Sequence, residues 1–455
     1  MSIVPRAPLL IWVALLGFPL AGLVAVSPES VLLVVIVTMI ALMICAVDAA
    51  LALDRLTAIQ VALPPLVRLV KGKRGSFPLT IRDQGKDRRR IRVAWSFPPG
   101  VTGEHDEIVA PSPDPNSLLQ LKIECHPLRR GCHWLAGTAV AAPSRLRLWE
   151  ARDFRTDRCE LRVYPDLSKE RRKLAMLFLN RGAFGMHVRR QMGKGREFEK
   201  LREYLPGDSV EDIHWKATAK RSHPVTKVFQ IERTQEVYVI LDASRLSARL
   251  APTAAGVAAV DPQSEVPATL LERYVTGALT LGSAAQQQGD HFGLLLYSDR
   301  VQSFLRAKNG PNHFSQCRDA LFAAEPRAVA PDLDELSAFI QSRLRRRALL
   351  VFFTSLDDPV LAEQFLAGLN LIARRHLVVV LMVQPASAQP LFADERVEQR
   401  EQICEKLGGH LLWNDLQEIE LKLQRRGIRF SLVPDERLVT TAVRQYLAVK
   451  GDQTL

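Results

Sequence analysis

The sequence predicts a multi-domain chain. An N-terminal transmembrane helical hairpin occupies 1–56 and an all-β, sandwich-like domain 57–165. A charged signature segment fills 166–235, and an α/β domain runs over 236–455. Three observations predict this. Two long apolar runs open the chain, and hydrophobicity then alternates with a period of two. After 236, short runs apolar on both faces alternate with helical patterns. The 455 residues suffice for two or three domains. The formal net charge of +12 bears on acidic partners, anionic lipid or nucleic acid, and says nothing about fold. The six cysteines are scattered without a Cys-x-x-Cys pair, which suits a reducing compartment better than a disulfide framework.

The first apolar run, 7–26, has the length a helix needs to cross a bilayer, and the second spans 31–53. Only Ser27-Pro28-Glu29-Ser30 separates them, so they form a hairpin; a cleaved leader would account for the first run and not the second. Asp48 lies near the far end of the second run, at interfacial depth. Arg6 precedes the hairpin and Arg55, Arg68, Lys71, Lys73 and Arg74 follow it, while the tight loop carries no basic residue. The expectation is a multi-pass protein of the inner (plasma) membrane with both termini cytoplasmic.

From Phe77 to Val163 apolar residues alternate with polar ones: Phe77, Leu79 and Ile81; Ile91, Val93, Trp95 and Phe97; Leu119, Leu121, Ile123 and Cys125; Leu146 and Leu148; Leu161 and Val163. Each reads as a strand with one buried face. Pro98-Pro99-Gly100 and 111–115 punctuate them as turns. Cys125-His126 and Cys132-His133 can be drawn as a metal site, but alternation turns Cys125 into the apolar face. The expected job of this domain is to hold the next one off the bilayer or to bind a protein.

In the signature segment, 166–180 reads as a helix, Gly182-Ala183-Phe184-Gly185 as a tight-turning piece and Pro206-Gly207-Asp208 as a turn. Ile213, Trp215 and Ala217 alternate with His214, Lys216 and Thr218. Gly193-Lys194-Gly195 lacks the Gly-x-x-x-x-Gly-Lys-Ser/Thr octet of a phosphate loop. Acidic Glu197, Glu199, Glu203, Asp208, Glu211 and Asp212 dilute any nucleic-acid patch of Lys, Arg and Trp. Mixed-sign charge at this density favours a surface that locks onto a protein.

The stretch Gly195-Arg196-Glu197-Phe198 through Leu201-Arg202-Glu203-Tyr204 and Gly207-Asp208, then Ile213-His214-Trp215-Lys216-Ala217-Thr218-Ala219-Lys220, then Leu241-Asp242-Ala243-Ser244, resembles the signature of the bacterial family called domain of unknown function 58. The resemblance implies a membrane-anchored partner of a MoxR-type AAA+ ATPase, encoded alongside other von Willebrand factor type A proteins and without established enzymatic activity. It implies partner-binding roles for Glu197, Phe198, Leu201, Arg202, Glu203, Tyr204, Gly207, Asp208, Trp215 and Lys216.

Beyond 236, the runs 237–241, 291–297, 348–353 and 377–383 read as buried strands, with a further strand at 428–433. Helical patterns fall around 270–279, 332–347, 395–407 and 436–447. The parallel sheet this predicts places its ligand site beyond the strands' carboxyl ends, where Asp242 lies. The region resembles a von Willebrand factor type A, Rossmann-like domain. That resemblance implies Mg²⁺ bound through Asp-x-Ser-x-Ser and later Thr and Asp residues. Asp242 and Ser244 match, but Leu246 occupies the third place and Ser247 comes one residue late. Thr354-Ser355 stand where Ser-Asp is expected, with Asp357 and Asp358 further on, and Pro331-Asp332 stand near the Thr position. The degenerate set favours a structural Asp242 and no cofactor. No nucleophile elbow, zinc-protease motif or carboxylate pair stands out. The resulting expectation is a non-enzymatic scaffold or adaptor with no nucleic-acid partner. The alternative is a metal-dependent, adhesion-type binding module of the cell envelope.

Overall fold

The computed structural model describes every residue except 84–89, 114–116, 184–191, 206–208, 222, 231–234, 253–267, 392–399 and 452–455. The chain divides into two compact units, the first built chiefly of Met1–Asp166 and the second of the residues from Leu167 onward.

The first unit opens on a short strand, β1 (Ser2–Pro5), that the sequence reading did not anticipate. Helices α1 (Ala7–Val26) and α2 (Val31–Thr57) follow. Both are long and apolar enough to cross a membrane by length and composition. α1 is apolar all round, and its Leu10, Ile11, Trp12, Val13 and Phe18 stand exposed, as suits a helix in a non-aqueous surrounding. Eleven more strands complete the unit: β2 (Ile59–Ala62), β3 (Leu66–Val70), β4 (Gly75–Asp83), β5 (Arg90–Trp95), β6 (Val101–Gly103), β7 (Glu107–Pro111), β8 (Leu118–Pro127), β9 (Gly131–Leu135), β10 (Thr138–Pro143), β11 (Trp149–Arg155) and β12 (Cys159–Tyr164). They form a five-stranded sheet of order β1-β11-β10-β5-β7, a four-stranded sheet of order β2-β4-β8-β6 and a three-stranded sheet of order β3-β12-β9. Alternation fills one shared core: Phe77, Leu79 and Ile81 of β4 meet Ile91 and Val93 of β5 and Leu161 and Val163 of β12.

One expectation is corrected by the structure. Leu146 and Leu148 do not lie in a strand. They belong to a turn in which Leu148 is buried, Leu146 is exposed and Arg147 takes φ 60. The two-residue period there is a property of the turn's packing and not of pleating. Ala52 and Leu56 of α2 enter the same core as the strands. Asp48, read as interfacial, is buried and accepts a hydrogen bond from Leu146 N at 3.1 Å.

The second unit contains α3 (Ser168–Ala183), β13 (Met192–Glu203), α4 (Trp215–Arg221), β14 (Val225–Gln230), β15 (Glu236–Asp242), α5 (Leu270–Gln287), β16 (His291–Tyr297), β17 (Val301–Lys308), α6 (Pro311–Leu321), α7 (Leu333–Arg343), β18 (Leu349–Phe353), α8 (Pro359–Ala373), β19 (Leu377–Val383), α9 (Arg400–Arg425), β20 (Arg429–Val433) and α10 (Leu438–Gly451). Among the described residues six strands pair in the order β17-β16-β15-β18-β19-β20. All neighbours are parallel except the β16–β17 pair at the edge. The predicted parallel sheet is therefore present. Tyr238, Ile240, Phe352, Val380 and Met382 pack on one face with α7, α8 and α9. On the other face α5 packs on β15 and β16, and α10 on β19. Caps mark the helix starts: Thr269 accepts from Glu272 N, Asp332 from Asp334 N and Glu335 N, and Asp358 from Val360 N with Pro359 in the first turn.

Three further readings are revised. The alternation around Trp215 belongs to a short helix, nucleated where His214 Nδ1 accepts from Ala217 N at 3.0 Å and its carbonyl from Thr218 N at 3.0 Å. Helix α3 continues through Gly182 and Ala183; Phe184 and Gly185 lie outside the described residues. The helix expected to end at Leu407 runs on to Arg425 through Gly408 and Gly409. Its expected start at Glu395 lies outside the described residues.

Candidate functional site

Two places in the second unit collect the residues singled out by sequence. The first is a β-ladder with a helical flap. β13 and β14 are antiparallel, setting Glu197 opposite Gln230, Phe198 opposite Phe229, Leu201 opposite Lys227, Arg202 opposite Thr226 and Glu203 opposite Val225. Val225 is the hub. Its carbonyl accepts from His214 N at 2.8 Å and its N–H donates to Thr218 Oγ1 at 3.1 Å. Tyr204 N donates to Pro224 O at 3.0 Å. Residues distant in sequence, Leu201 to Tyr204 and Trp215 to Lys216, are thereby brought to one small element. Gly207 and Asp208 lie outside the described residues.

Val225 and Thr226 are buried, yet Trp215 is 67% exposed, Val210 63% and Leu205 58%. Three large apolar side chains, one of them a tryptophan, are thus left in water on this element. Trp215 stands out in the sequence through its motif, whereas Leu205 and Val210, set beside Pro206 and Glu211, belong to no periodic apolar pattern. The Glu203–His223 pair at 3.5 Å is solvent-exposed and contributes little.

The second place is the carboxyl edge of the sheet, at the switch point between β15 and β18, where strand order reverses. Asp242 is fully buried. Its Oδ1 accepts from Ser244 N at 2.8 Å and its Oδ2 from Thr354 Oγ1 at 3.0 Å. Tyr274 Oη and Ser355 Oγ lie 3.3 Å apart, and Ser247 Oγ donates to Ser244 O at 2.9 Å. Burial pushes the Asp242 carboxyl above its usual range, and the bonds from Ser244 and Thr354 oppose that rise. Burial likewise raises the Tyr274 and Tyr297 hydroxyls, with the Asp242 charge adding to it. Beside this network a cavity of about 270 Å³ is lined by Arg249, Leu250, Leu270, Ser355, Asp357 and Val383.

The residues do not suit the Mg²⁺ that the resemblance implies. A hard cation wants an array of oxygens. Leu246, in the third ligand place, is buried and has none to offer. Asp357 is ion-paired with Arg249, Asp358 caps α8 and Asp332 caps α7. Each oxygen of Asp242 already holds a protein hydrogen bond. The arrangement closes the strand end with neutral donors. Among the described residues no group of three or more His, Cys, Asp or Glu is placed to hold a metal. In the Cys125/Cys132 region, Cys132 Sγ instead contacts Glu160 Oε1 at 3.3 Å and His133 Nε2 pairs with Arg129 O at 3.0 Å.

A pH prediction follows from Asp242. Its folded value is raised above 3.8, so between 3.8 and that raised value the native state keeps a proton that the unfolded chain has released. Stability then falls as pH rises through the window. Asp242→Asn lacks this component. In urea titrations the stability of the variant relative to wild type should rise with pH across the window, and a relative stability that fell instead would contradict the assignment.

Against known proteins, the curated relatives are uncharacterized proteins of Mycobacterium bovis and Mycobacterium tuberculosis, 24% identical over 201 residues, or 44% of this chain. The chain spans 58% of the length of these relatives. Among solved structures it is similar to the conserved hypothetical protein BatB from Bacteroides thetaiotaomicron (14% identity, 48% of this chain and 99% of that one, TM-score 0.29). It is also similar to an aerotolerance-related membrane protein from Bacteroides fragilis (12% identity, 47% and 98%, TM-score 0.26). At such scores these likenesses carry no argument about the present fold. Residues 200–400, the stretch that holds most of the β-ladder motif and the carboxyl edge of the sheet, match the family described as Protein of unknown function DUF58.

Proposed function

We propose that this chain is a membrane-anchored, non-enzymatic scaffold whose second unit, with a domain of the von Willebrand factor type A kind, binds partner proteins. The partner class suggested by the family resemblance is a MoxR-type AAA+ ATPase. The observation that carries the proposal is the exposed apolar trio Leu205, Val210 and Trp215 on the β13–β14 motif. The order β17-β16-β15-β18-β19-β20 with one antiparallel edge supports the domain assignment. Binding in preference to catalysis is supported by the neutral closure of Asp242 and by the state of the buried thiols. Burial pushes Cys317 up to about 12 and Cys125 and Cys159 up to about 11, far from the thiolate a nucleophile needs.

Two apolar helices support anchoring. The antiparallel pairing of β1 with β11 favours a hairpin, since a strand before α1 and a strand after α2 can share a sheet only on the same side of a bilayer. With the basic residues that flank the helices, that side is the cytoplasm.

The test is binding of a purified MoxR-type ATPase to the full-length protein in detergent. Trp215→Ala should weaken it at least about 30-fold, a loss of roughly 2 kcal/mol or more at a buried interface. The variant's melting curve should be unchanged, because an exposed side chain contributes within about 0.5 kcal/mol to stability. Undiminished affinity in Trp215→Ala and Leu205→Ser would rule out this face as the docking surface.

A further inference from the structure

The turn joining β10 to β11 is held by the hairpin itself. Leu146 N donates to Asp48 Oδ1 at 3.1 Å and Trp149 Nε1 to Cys45 O at 3.0 Å, both on α2. Arg6 N, just before α1, donates to Leu148 O at 3.0 Å. The apolar span of α2 extends to Leu53. At 1.5 Å per residue, Asp48 therefore lies about 8 Å inside its end. The start of α1 at Ala7 marks the same boundary on the other helix. The turn is thus fastened alongside the last apolar turns of the anchor, at the depth where hydrocarbon gives way to headgroups.

What the turn presents fits that depth. Leu148 is buried beneath it, whereas Arg145, Leu146 and Arg147 are all exposed, Leu146 by 53%. Arg147 is the one non-glycine residue with positive φ among the described residues. The backbone is bent into a conformation L-residues avoid, with the Arg-Leu-Arg tip outward. An apolar side chain flanked by two arginines and followed by a tryptophan bonded to the helix is the composition of an interfacial contact. Such a composition lets a leucine enter the acyl boundary while arginines reach lipid phosphates.

We infer that the Arg145–Leu146–Arg147 turn is a membrane-surface contact for anionic phospholipid, seating the β domain directly on the bilayer. This rests on the reading that α1 and α2 span the membrane, and the experiment separates the two. The full-length chain, with Cys45, Cys132 and Cys404 replaced by alanine, is placed in phosphatidylglycerol nanodiscs with brominated acyl chains. A thiol-reactive fluorophore is attached in turn at Leu146→Cys, at Leu16→Cys within α1, and at Val109→Cys on β7. Val109 is exposed, and β7 forms the edge of the five-stranded sheet farthest from β1. The probes at 16 and 146 should each lose about half their emission while the probe at 109 is unchanged. Quenching at 16 without quenching at 146 overturns the inference and leaves the spanning hairpin standing. Absence of quenching at 16 overturns the hairpin and the inference together. Equal quenching at 109 and 146 overturns the placement of the turn. A probe at 146 shielded from iodide but not quenched by bromine means that a second copy of the chain covers it, and again overturns the inference. In Arg145→Glu/Arg147→Glu the quenching at 146 should fall at least twofold with that at 16 unchanged; equal quenching would remove the anionic headgroup from the proposal.

Discussion

Asp290→Ala is expected to destabilise the second unit by about 3–5 kcal/mol, the cost of stripping one partner from a buried charge pair. Asp290 is 1% exposed and sits where the α5–β16 connection enters the sheet. Its Oδ1 accepts from Gln235 N at 3.2 Å, ahead of β15. Its Oδ2 accepts from Lys450 Nζ at 2.8 Å and from the Tyr446 hydroxyl, both on α10. One carboxylate thus joins the entrances of two central strands to the last helix. Burial, and then the Asp290 charge, raise the Tyr446 hydroxyl and keep it a donor. Removing the carboxylate leaves a buried hydroxyl and a backbone N–H without an acceptor, and leaves the lysine amine only the Gln288 carbonyl, at 3.0 Å, in place of its counter-charge. Chemical unfolding should show the loss, and Lys450→Met alone should cost less, because that amine is partly solvated. A loss under about 1 kcal/mol, the range of surface pairs, would show the cluster to be ornamental.

The second large effect is a contrast between adjacent residues. Gly408→Ala should stabilise the protein by up to about 1 kcal/mol, the difference in helix propensity, while Gly409→Ala should destabilise it by about 1–3 kcal/mol through overpacking. Both glycines lie inside α9. A Cβ at Gly408 meets nothing within 4 Å, but one at Gly409 falls 2.1 Å from the carbonyl oxygen of Ser387. That oxygen belongs to backbone and cannot rotate away. The turn carrying it is held from both ends. Gln384 Nε2 donates to Ala388 O at 2.7 Å, and Leu391 N donates to His410 Nδ1 at 3.2 Å. Paired urea titrations give the sign of each change. Equal stabilisation by both alanines would mean that the close approach is absent.

The same two glycines explain one limit of reading the chain. A Gly-Gly pair is a helix breaker by propensity, and the helical pattern expected over 395–407 stops just before it; packing against 387 overrides that preference, and nothing local in the sequence encodes the neighbour. Legibility followed burial. The strands at 237–241, 349–353 and 377–383 were readable because sheet interiors have no polar face. Phe77 to Ile81 was readable because its alternation is strict. β17 escaped because most of its residues are only half-buried and its edge position imposes no clean pattern. α4 escaped because seven residues are too few to show a helical period. At the candidate site, Asp242 was legible from the strand it ends, and Trp215 from its motif. The pairing of Asp357 with Arg249 was not, since the partners lie 108 residues apart and either charge alone looks like ordinary surface.

The strand ahead of the first helix has a bearing on biogenesis. Ser2 finds its partner in Arg152, so the strand ahead of α1 must wait for β11 to be translated before it can pair. Closing so large a loop is slow, and meanwhile the hairpin has had time to insert. The sheet is therefore finished by a segment made well before its partner, and nascent chains halted short of Trp149 would leave that segment as a bare, sticky edge.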